Sequence, residues 1–353
     1  MTTNKPAYTR TPEQEEQARL KRLERAQRRG DGDSSSSPTS SNQKASDYLD
    51  GFEQSIGLFG DAQVANGEAG QIFDYNHGHL QLHLANVGGG AVKLMSHFVW
   101  NAALVMAEYI ESGQIIDVQG KRVIEFGAGA ALPGLLCVRR GAAFATLTDY
   151  PDPAIVHNLE RNWFENLVET AEEKQVRLET KVESTHTTRY ITLLGSSSVN
   201  NKERHDCEQR VRCAVRGHAW GESVQEMLDC LPESSETSSG YDWILMADTL
   251  WVSEGHGALL SSCQAVLSPG GRILVCCGLH TGYNTVQRFM ALARSSTFGF
   301  QGRLVEIRRV PQWGETRTAE ELRRESAQLK EEDMEKFTVE DRNRTVLVYE
   351  LWK

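Results

Sequence analysis

The sequence predicts an α/β fold with a mostly parallel sheet and helices on both faces, and three observations carry that prediction. Short apolar runs, "KRVIEF", "AFATLT", "RVRCAVRGHAW", "YDWILMAD" and "GRILVCCG", alternate with helical or loop segments, the pattern of parallel strands joined by crossover helices. The stretch "VIEFGAGAALPGLLCVRRGAAFATLTDYPDP" from Val123 to Pro153 reads as strand, glycine turn, helix, strand and acidic tip. An apolar fraction of 39% over 353 residues supplies a core once polar tails are set aside.

Taken in order, residues 1–45 form an appendage and residues 46–353 one domain. In "TPEQEEQARLKRLERAQRRG" Thr11 is placed to cap a helix with Pro12 at its first position. Only Leu20 and Leu23 offer apolar surface, so a solvated, partly helical tail is expected, with a nuclear-import or RNA-contact tail as the alternative. "GDGDSSSSPTSSNQ" has the composition of a flexible linker. Residues 46–118 form an N-terminal extension. In it Leu80, Leu82 and Leu84 alternate with His79, Gln81 and His83, which predicts a β-hairpin turning near Asn76 to Gly78. His77, His79 and His83 have no accompanying carboxylate or cysteine cluster, so a solvated strand face is expected rather than a metal site. "SHFVWNAALVMAEYIESG" then reads as an amphipathic helix on Val99, Ala103, Met106 and Ile110, widened by Trp100 and Leu104.

Residues 119–353 carry the parallel strands. "GRLVEIRRV" and "RTVLVYELW" finish the sheet on either side of a charged helix around 319–336. Polar segments near 184–209 and 232–240 read as surface insertions.

The formal net charge of −10 argues against a general affinity for nucleic acid, the basic N-terminal tail being the one exception. Seven irregularly spaced cysteines without a CxxC pair suggest reduced thiols. No run of 18 apolar residues or signal-peptide core is present. A soluble protein without membrane partners is expected, cytoplasmic or nuclear.

The chemistry concentrates at the strand ends. Glu125, Gly127 and Gly129 occupy the turn after the first parallel strand, where glycines let the backbone approach a ligand. Asp149 ends the next strand, placed to accept from two ribose hydroxyls. NAD(P), FAD and S-adenosylmethionine share this geometry. A pyrophosphate wants a small residue where this chain has Leu132 followed by Pro133. Glu125 beside the loop instead suits a cationic cofactor without phosphates, and S-adenosylmethionine is one. Trp220 in "GHAWGE" and Asp248 in "MADTLW" close the third and fourth strands at the same edge, where open α/β sheets place ligands.

Together, "VWNAALVMAEYI", "VIEFGAGAALPGLL", "TDYPDP", "GHAWGE" and "ILMADTLW" resemble, in that order, the seven-β-strand class I methyltransferases. They most resemble the fungal branch labelled nicotinamide N-methyltransferase-like. A member of that branch methylates the N-terminus and a nearby lysine of translation elongation factor 1-alpha. The similarity covers roughly residues 50–353. It implies a Rossmann-like sheet of seven mostly parallel strands, with the hairpin and helix as an N-terminal extension. It further implies that Trp100 helps close the pocket and that Gly127, Ala128 and Gly129 lie under the methionine portion. By the same resemblance Asp149, with Tyr150 beside it, binds the ribose, Trp220 packs on adenine, and Ala247 and Asp248 border the methyl-transfer site. This chain departs from the elongation-factor enzymes at Asp248 to Val252, where they tend toward D-L-V-F-N. It departs again at Gly278 to Gly282, where a proline-containing loop is expected. Both segments shape the acceptor side.

Methyl transfer to nitrogen needs a neutral amine aligned in a desolvated site. Asp248 is the candidate to orient that amine and Trp251 to wall its channel, aided by cation–π attraction. His280 is either a proton relay or an ordinary loop histidine. The expected activity is N-methylation of a protein lysine or N-terminal amine, with elongation factor 1-alpha as the model partner. A small-amine N-methyltransferase and a catalytically silent partner subunit are the alternatives.

Overall fold

A computed structural model describes residues 65–77, 79–86, 95–168, 176–183, 186–194, 208–232, 240–312 and 317–353. The tail and linker of residues 1–45 and most of the expected insertion at 232–240 lie outside them.

The extension begins with β1 (Ala65–Asn66), β2 (Ile72–Tyr75) and β3 (Leu80–His83). β2 and β3 pair antiparallel across a turn in which Asn76 and His77 take positive φ. Leu80, Leu82 and Leu84 are all buried, as the alternation predicts. His83 departs from the expected solvated face. It is buried, and its ring meets the Glu165 carboxylate. β4 (Val99–Trp100) pairs with β1, and α1 (Asn101–Ser112) follows directly. The helix therefore starts later than the apolar stripe suggests. Val99 and Trp100 are held extended by β1, and the Asn66 amide donates to the Val99 carbonyl (3.1 Å) and to Asn101 (3.2 Å). Gly113 ends α1 in the left-handed conformation at φ 67°, its N–H returning to Tyr109.

The central unit comprises β5 (Arg122–Phe126), α2 (Leu132–Arg139), β6 (Phe144–Asp149) and α3 (Pro153–Trp163). Asp152 caps α3 by accepting from the Ala154 N–H, with Pro153 at the first position. A single π-helical turn, Phe164–Val168, extends it. The later strands are β7 (Val176–Glu183), β8 (His186–Leu194) and β9 (Glu208–Gly217). After α4 (Gln225–Asp229) come β10 (Tyr241–Ala247), α5 (His256–Val266), β11 (Leu267–Gly278), α6 (Tyr283–Arg294) and β12 (Gln301–Arg309).

The expected charged helix is broken. α7 (Ala319–Ser326) starts with a capping box at Thr318, a 3₁₀ segment covers Glu331–Lys336, and α8 (Val339–Asn343) has its own box at Thr338. β13 (Thr345–Trp352) ends the sheet.

The nine strands lie in the order β12-β13-β11-β10-β5-β6-β9-β8-β7. β11, β10, β5, β6 and β9 run parallel, while β13 inserts antiparallel between β11 and β12. These seven form the expected sheet. β7 and β8 add an antiparallel pair at its edge, so part of the stretch expected as an insertion at 184–209 continues the sheet.

Alternation along β10 divides the core. Trp243, Leu245 and Ala247 join the layer that holds α1 and α2, and Ile244 and Met246 join the layer that holds α5 and α6. Cys276 and Cys277 pack into opposite layers in the same way, which accounts for adjacent cysteines without redox chemistry. The chain leaves β5 for β6 on one side and later returns to β10 on the other. Strand order reverses there, and the carboxyl ends of these strands open a crevice.

Candidate functional site

A cavity of about 910 Å³ occupies that crevice. All of the candidate residues line it: Trp100, Glu125, Gly127, Ala128, Gly129, Asp149, Tyr150, Trp220, Ala247, Asp248 and Trp251.

The loop after β5 is built by φ values that side chains resist. Gly127 (66°), Gly129 (55°) and the non-glycine Ala131 (64°) are all left-handed, and a non-glycine residue there costs about 1–2 kcal/mol. At Gly127 a Cβ would also come within 2.9 Å of the Thr249 methyl and 3.7 Å of the Trp220 ring. Trp220 thus lies over the glycine turn, as a platform for a flat ligand. The small residue absent at position 132 is found two places on. A Cβ on Gly134 would meet Leu147 at 2.2 Å and Glu125 at 2.6 Å, so glycine lets α2 pack onto the sheet.

Asp149 is fixed by backbone donors. Its Oδ2 accepts from the Gly129 N–H (2.7 Å) and its Oδ1 from the Tyr150 N–H (2.7 Å). Each oxygen keeps a lone pair that can face the cavity. Burial pushes this carboxyl up to about 6, against the pull of those two bonds. Glu125 behaves differently. It is fully buried, accepts from the Gly134 N–H (2.9 Å) and is pushed up by burial to about 8. It lines the floor as a neutral acid that ties α2 to β5.

The acceptor side centres on Asp248, which takes a positive φ of 56° at the end of β10. Its Oδ1 accepts from the Gly278 N–H (3.1 Å) and lies 3.7 Å from His280 Nε2. Burial raises its carboxyl and the adjacent His280 opposes that shift. The His280 ring stacks on Trp100 (centroids 5.3 Å apart, planes 24° apart), and the Trp100 indole N–H donates to the Met95 carbonyl (3.3 Å). His280 therefore supports Asp248 from behind, and the Asp248–Trp251 and Gly278–Gly282 segments meet as the sequence implies.

Sequence reasoning did not single out Ser96, His218, Glu222 or Thr249. His218 lines the cavity with Nε2 2.9 Å from the Ser262 hydroxyl, and burial lowers it to about 4, so it is neutral. Ser96 and Thr249 each present a buried hydroxyl without a hydrogen-bond partner among the described residues. "GHAWGE" and "ADTLW" contain three of these four residues, His218, Glu222 and Thr249, and Ser96 lies four residues before Trp100. Adjacency to strand ends was the available signal.

Beside the neutral Glu125, the acidic side chains lining the cavity are those of Asp149, Asp152, Glu222 and Asp248. No lysine or arginine lines it among the described residues. Such a site repels phosphates, which call for basic side chains, and favours cations. A sulfonium cofactor with an amino group, a ribose and a flat base fits this donor set, the glycine cradle and the two orphan hydroxyls.

The comparisons with known proteins agree. A family model described as lysine methyltransferase matches residues 81–184. The protein N-terminal and lysine N-methyltransferase EFM7 of Yarrowia lipolytica is 29% identical over 233 residues, covering 65% of this chain and 74% of that protein. Its namesake from Schizosaccharomyces pombe is 24% identical over 237 residues, covering 66% of this chain and 76% of its own. The one from Cryptococcus neoformans is 29% identical over 180 residues, which is 51% of this chain and less than half (46%) of that protein.

Proposed function

We propose that the chain is a class I methyltransferase that transfers the methyl group of S-adenosylmethionine to a protein amine, either a lysine or an N-terminal amine. The observation that carries this reading is the acid-lined cavity at the strand ends, suited to a cationic methyl donor and to an amine that becomes cationic as it is methylated. Elongation factor 1-alpha is the acceptor we favour, on the resemblance of the cofactor motifs to enzymes that methylate it. A cytoplasmic location is proposed with that acceptor.

Asp149 holds the ribose hydroxyls on the lone pairs its backbone donors leave free, and Trp220 offers its ring to the adenine. Bound S-adenosylmethionine supplies an electrophilic methyl group on sulfur. Asp248, braced by Gly278 and His280, accepts a hydrogen bond from the incoming amine and fixes its lone pair along the line of attack. Trp251 walls the approach, and its ring face stabilises the cation that forms.

Calorimetry with S-adenosylhomocysteine and with NADH tests the donor. Binding of the first alone is expected, and binding of NADH alone overturns the proposal. Incubation with labelled S-adenosylmethionine and lysate tests the acceptor. A labelled band that co-migrates with elongation factor 1-alpha and vanishes on its depletion is expected. Label confined to small molecules points to a small-amine enzyme instead, and no label at all to a silent partner subunit.

A further inference from the structure

Three asparagines one helical turn apart, Asn158, Asn162 and Asn166, project from α3 and its π-helical extension onto the free edge of β3. Asn166 Oδ1 accepts from the Gln81 N–H (2.8 Å), and its amide donates to the Gln81 carbonyl (2.8 Å). One turn earlier, Asn162 Oδ1 accepts from the His83 N–H (2.6 Å) and its amide donates to the His83 carbonyl (2.9 Å). Asn158 adds a second donor to the His83 carbonyl (2.8 Å). Gln81 and His83 are alternate residues of one strand, so their backbone groups point the same way. Side-chain amides thus take the place of a neighbouring strand, satisfying an edge that β2 leaves open on its far side. The i, i+4 spacing of the asparagines, about 6 Å along a helix, matches the two-residue repeat of a strand, about 6.7 Å.

Two members of the ladder make equivalent bonds to the hairpin, and each makes a further one: the Asn166 amide donates within its own helix to the Asn162 carbonyl (2.9 Å), whereas Asn162 reaches the cavity loop. The fully buried Asn162 also donates to the Ala130 carbonyl (3.1 Å). Ala130 lies between the left-handed residues Gly129 and Ala131, on the loop that lines the cavity. We propose that Asn162 is a positioning residue for the donor site, locking the strained Gly129–Ala131 turn to the N-terminal hairpin. The loop is then fastened at two adjacent points. Asp149 takes the Gly129 N–H and Asn162 supplies a donor to the Ala130 carbonyl. The hairpin, remote from the reacting atoms, becomes part of the donor-binding machinery.

The inference rests on the methyl-donor reading, and the matched pair Asn162→Ala and Asn166→Ala separates the two. Each variant removes a reciprocal pair of bonds to β3, so both should lower the melting temperature to a similar degree. Only Asn162→Ala removes the bond to the loop. Its Kd for S-adenosylhomocysteine should rise about tenfold, while Asn166→Ala stays within about twofold of wild type. With donor and acceptor at saturation, kcat should change less than KM for S-adenosylmethionine.

If Asn162→Ala fails to fold, the wild-type protein still decides the matter through amide exchange at residue resolution. By reciprocity of coupling, S-adenosylhomocysteine should slow exchange at the His83 amide, bonded to Asn162, more than at the Gln81 amide, bonded to Asn166. Equal Kd changes in the two variants, or equal protection of the two amides, overturn the positioning role and leave the donor assignment standing. A wild-type protein that does not bind S-adenosylhomocysteine overturns both.

Discussion

The two halves of the cavity are built on different plans. The donor half is centred on one continuous unit, β5 to α3, to which Trp220 is added from beyond β9, and its key carboxylate is fastened by amides of its own surroundings, Gly129 and Tyr150. The acceptor half is assembled from three separate parts of the chain. Asp248 at the end of β10 is braced by Gly278, 30 residues later, and by His280, which in turn stacks on Trp100 from the extension. A local unit takes its main carboxylate geometry from neighbouring residues, whereas an assembled one can be retuned by changing any of its parts. The donor site is therefore expected to respond to substitution through binding, and the acceptor site through rate.

The largest effect is predicted for Asp149→Ala. It removes the ribose acceptor and frees the Gly129 N–H of the strained loop, losses of about 1.5–3 kcal/mol for each charged hydrogen bond. Affinity for S-adenosylhomocysteine should fall roughly a hundredfold or more by calorimetry. Asp248→Ala should leave that affinity within about threefold while kcat drops about a hundredfold, as expected for a misaligned amine. Equal losses of binding in both variants would abolish the distinction between the halves.

That contrast also explains what the sequence made legible. The donor half could be read because its central parts, from Glu125 to Asp149, are contiguous. A strand, two glycines and an acid at the next strand end keep their spacing whatever surrounds them. Glu125 was visible by position, but its burial, and hence its neutrality, depends on how closely α2 approaches the sheet, which Gly134 decides. On the acceptor side Asp248 was visible as a strand-end residue, while the His280–Trp100 stack depends on β1 holding Val99 and Trp100 extended before α1 begins. The burial of His83 escaped the alternation pattern for a similar reason. The pattern predicts which face a side chain takes but not that the π-helical turn carrying Glu165 covers that face. The break in the charged 319–336 stretch falls between Ala327 and Lys330, where α7 ends and the 3₁₀ segment begins, and the run of charged residues on both sides masked it.

A smaller effect is expected from pH. The Asp149 carboxyl of the free protein lies at about 6 because it is buried. Protonation below that point removes a charged acceptor, so affinity for S-adenosylhomocysteine should weaken as pH falls, approaching about tenfold per unit. Asp149→Asn should bind weakly but lose this dependence. A wild-type profile flat between about pH 7 and 5 would show that the ribose acceptor lies elsewhere.

The smallest effect is predicted where a carboxylate beside the glycine loop most invites a direct role. Burial pushes the Glu125 carboxyl from its ordinary 4.5 up to about 8. The folded state therefore holds this proton more tightly than the unfolded state does. Its contribution to stability is complete below about 4.5 and is lost as pH rises through about 8. Glu125→Gln keeps the shape, the acceptor for the Gly134 N–H and the absence of charge. At neutral pH the variant should bind S-adenosylhomocysteine within about twofold of wild type. Melting temperatures followed from about pH 5 to 8.5 should move progressively in the variant's favour, because glutamine has no proton to lose. A loss of affinity approaching that of Asp149→Ala would instead mean that the cationic ligand draws the proton off Glu125 on binding. The donor half would then rest on two carboxylates rather than one.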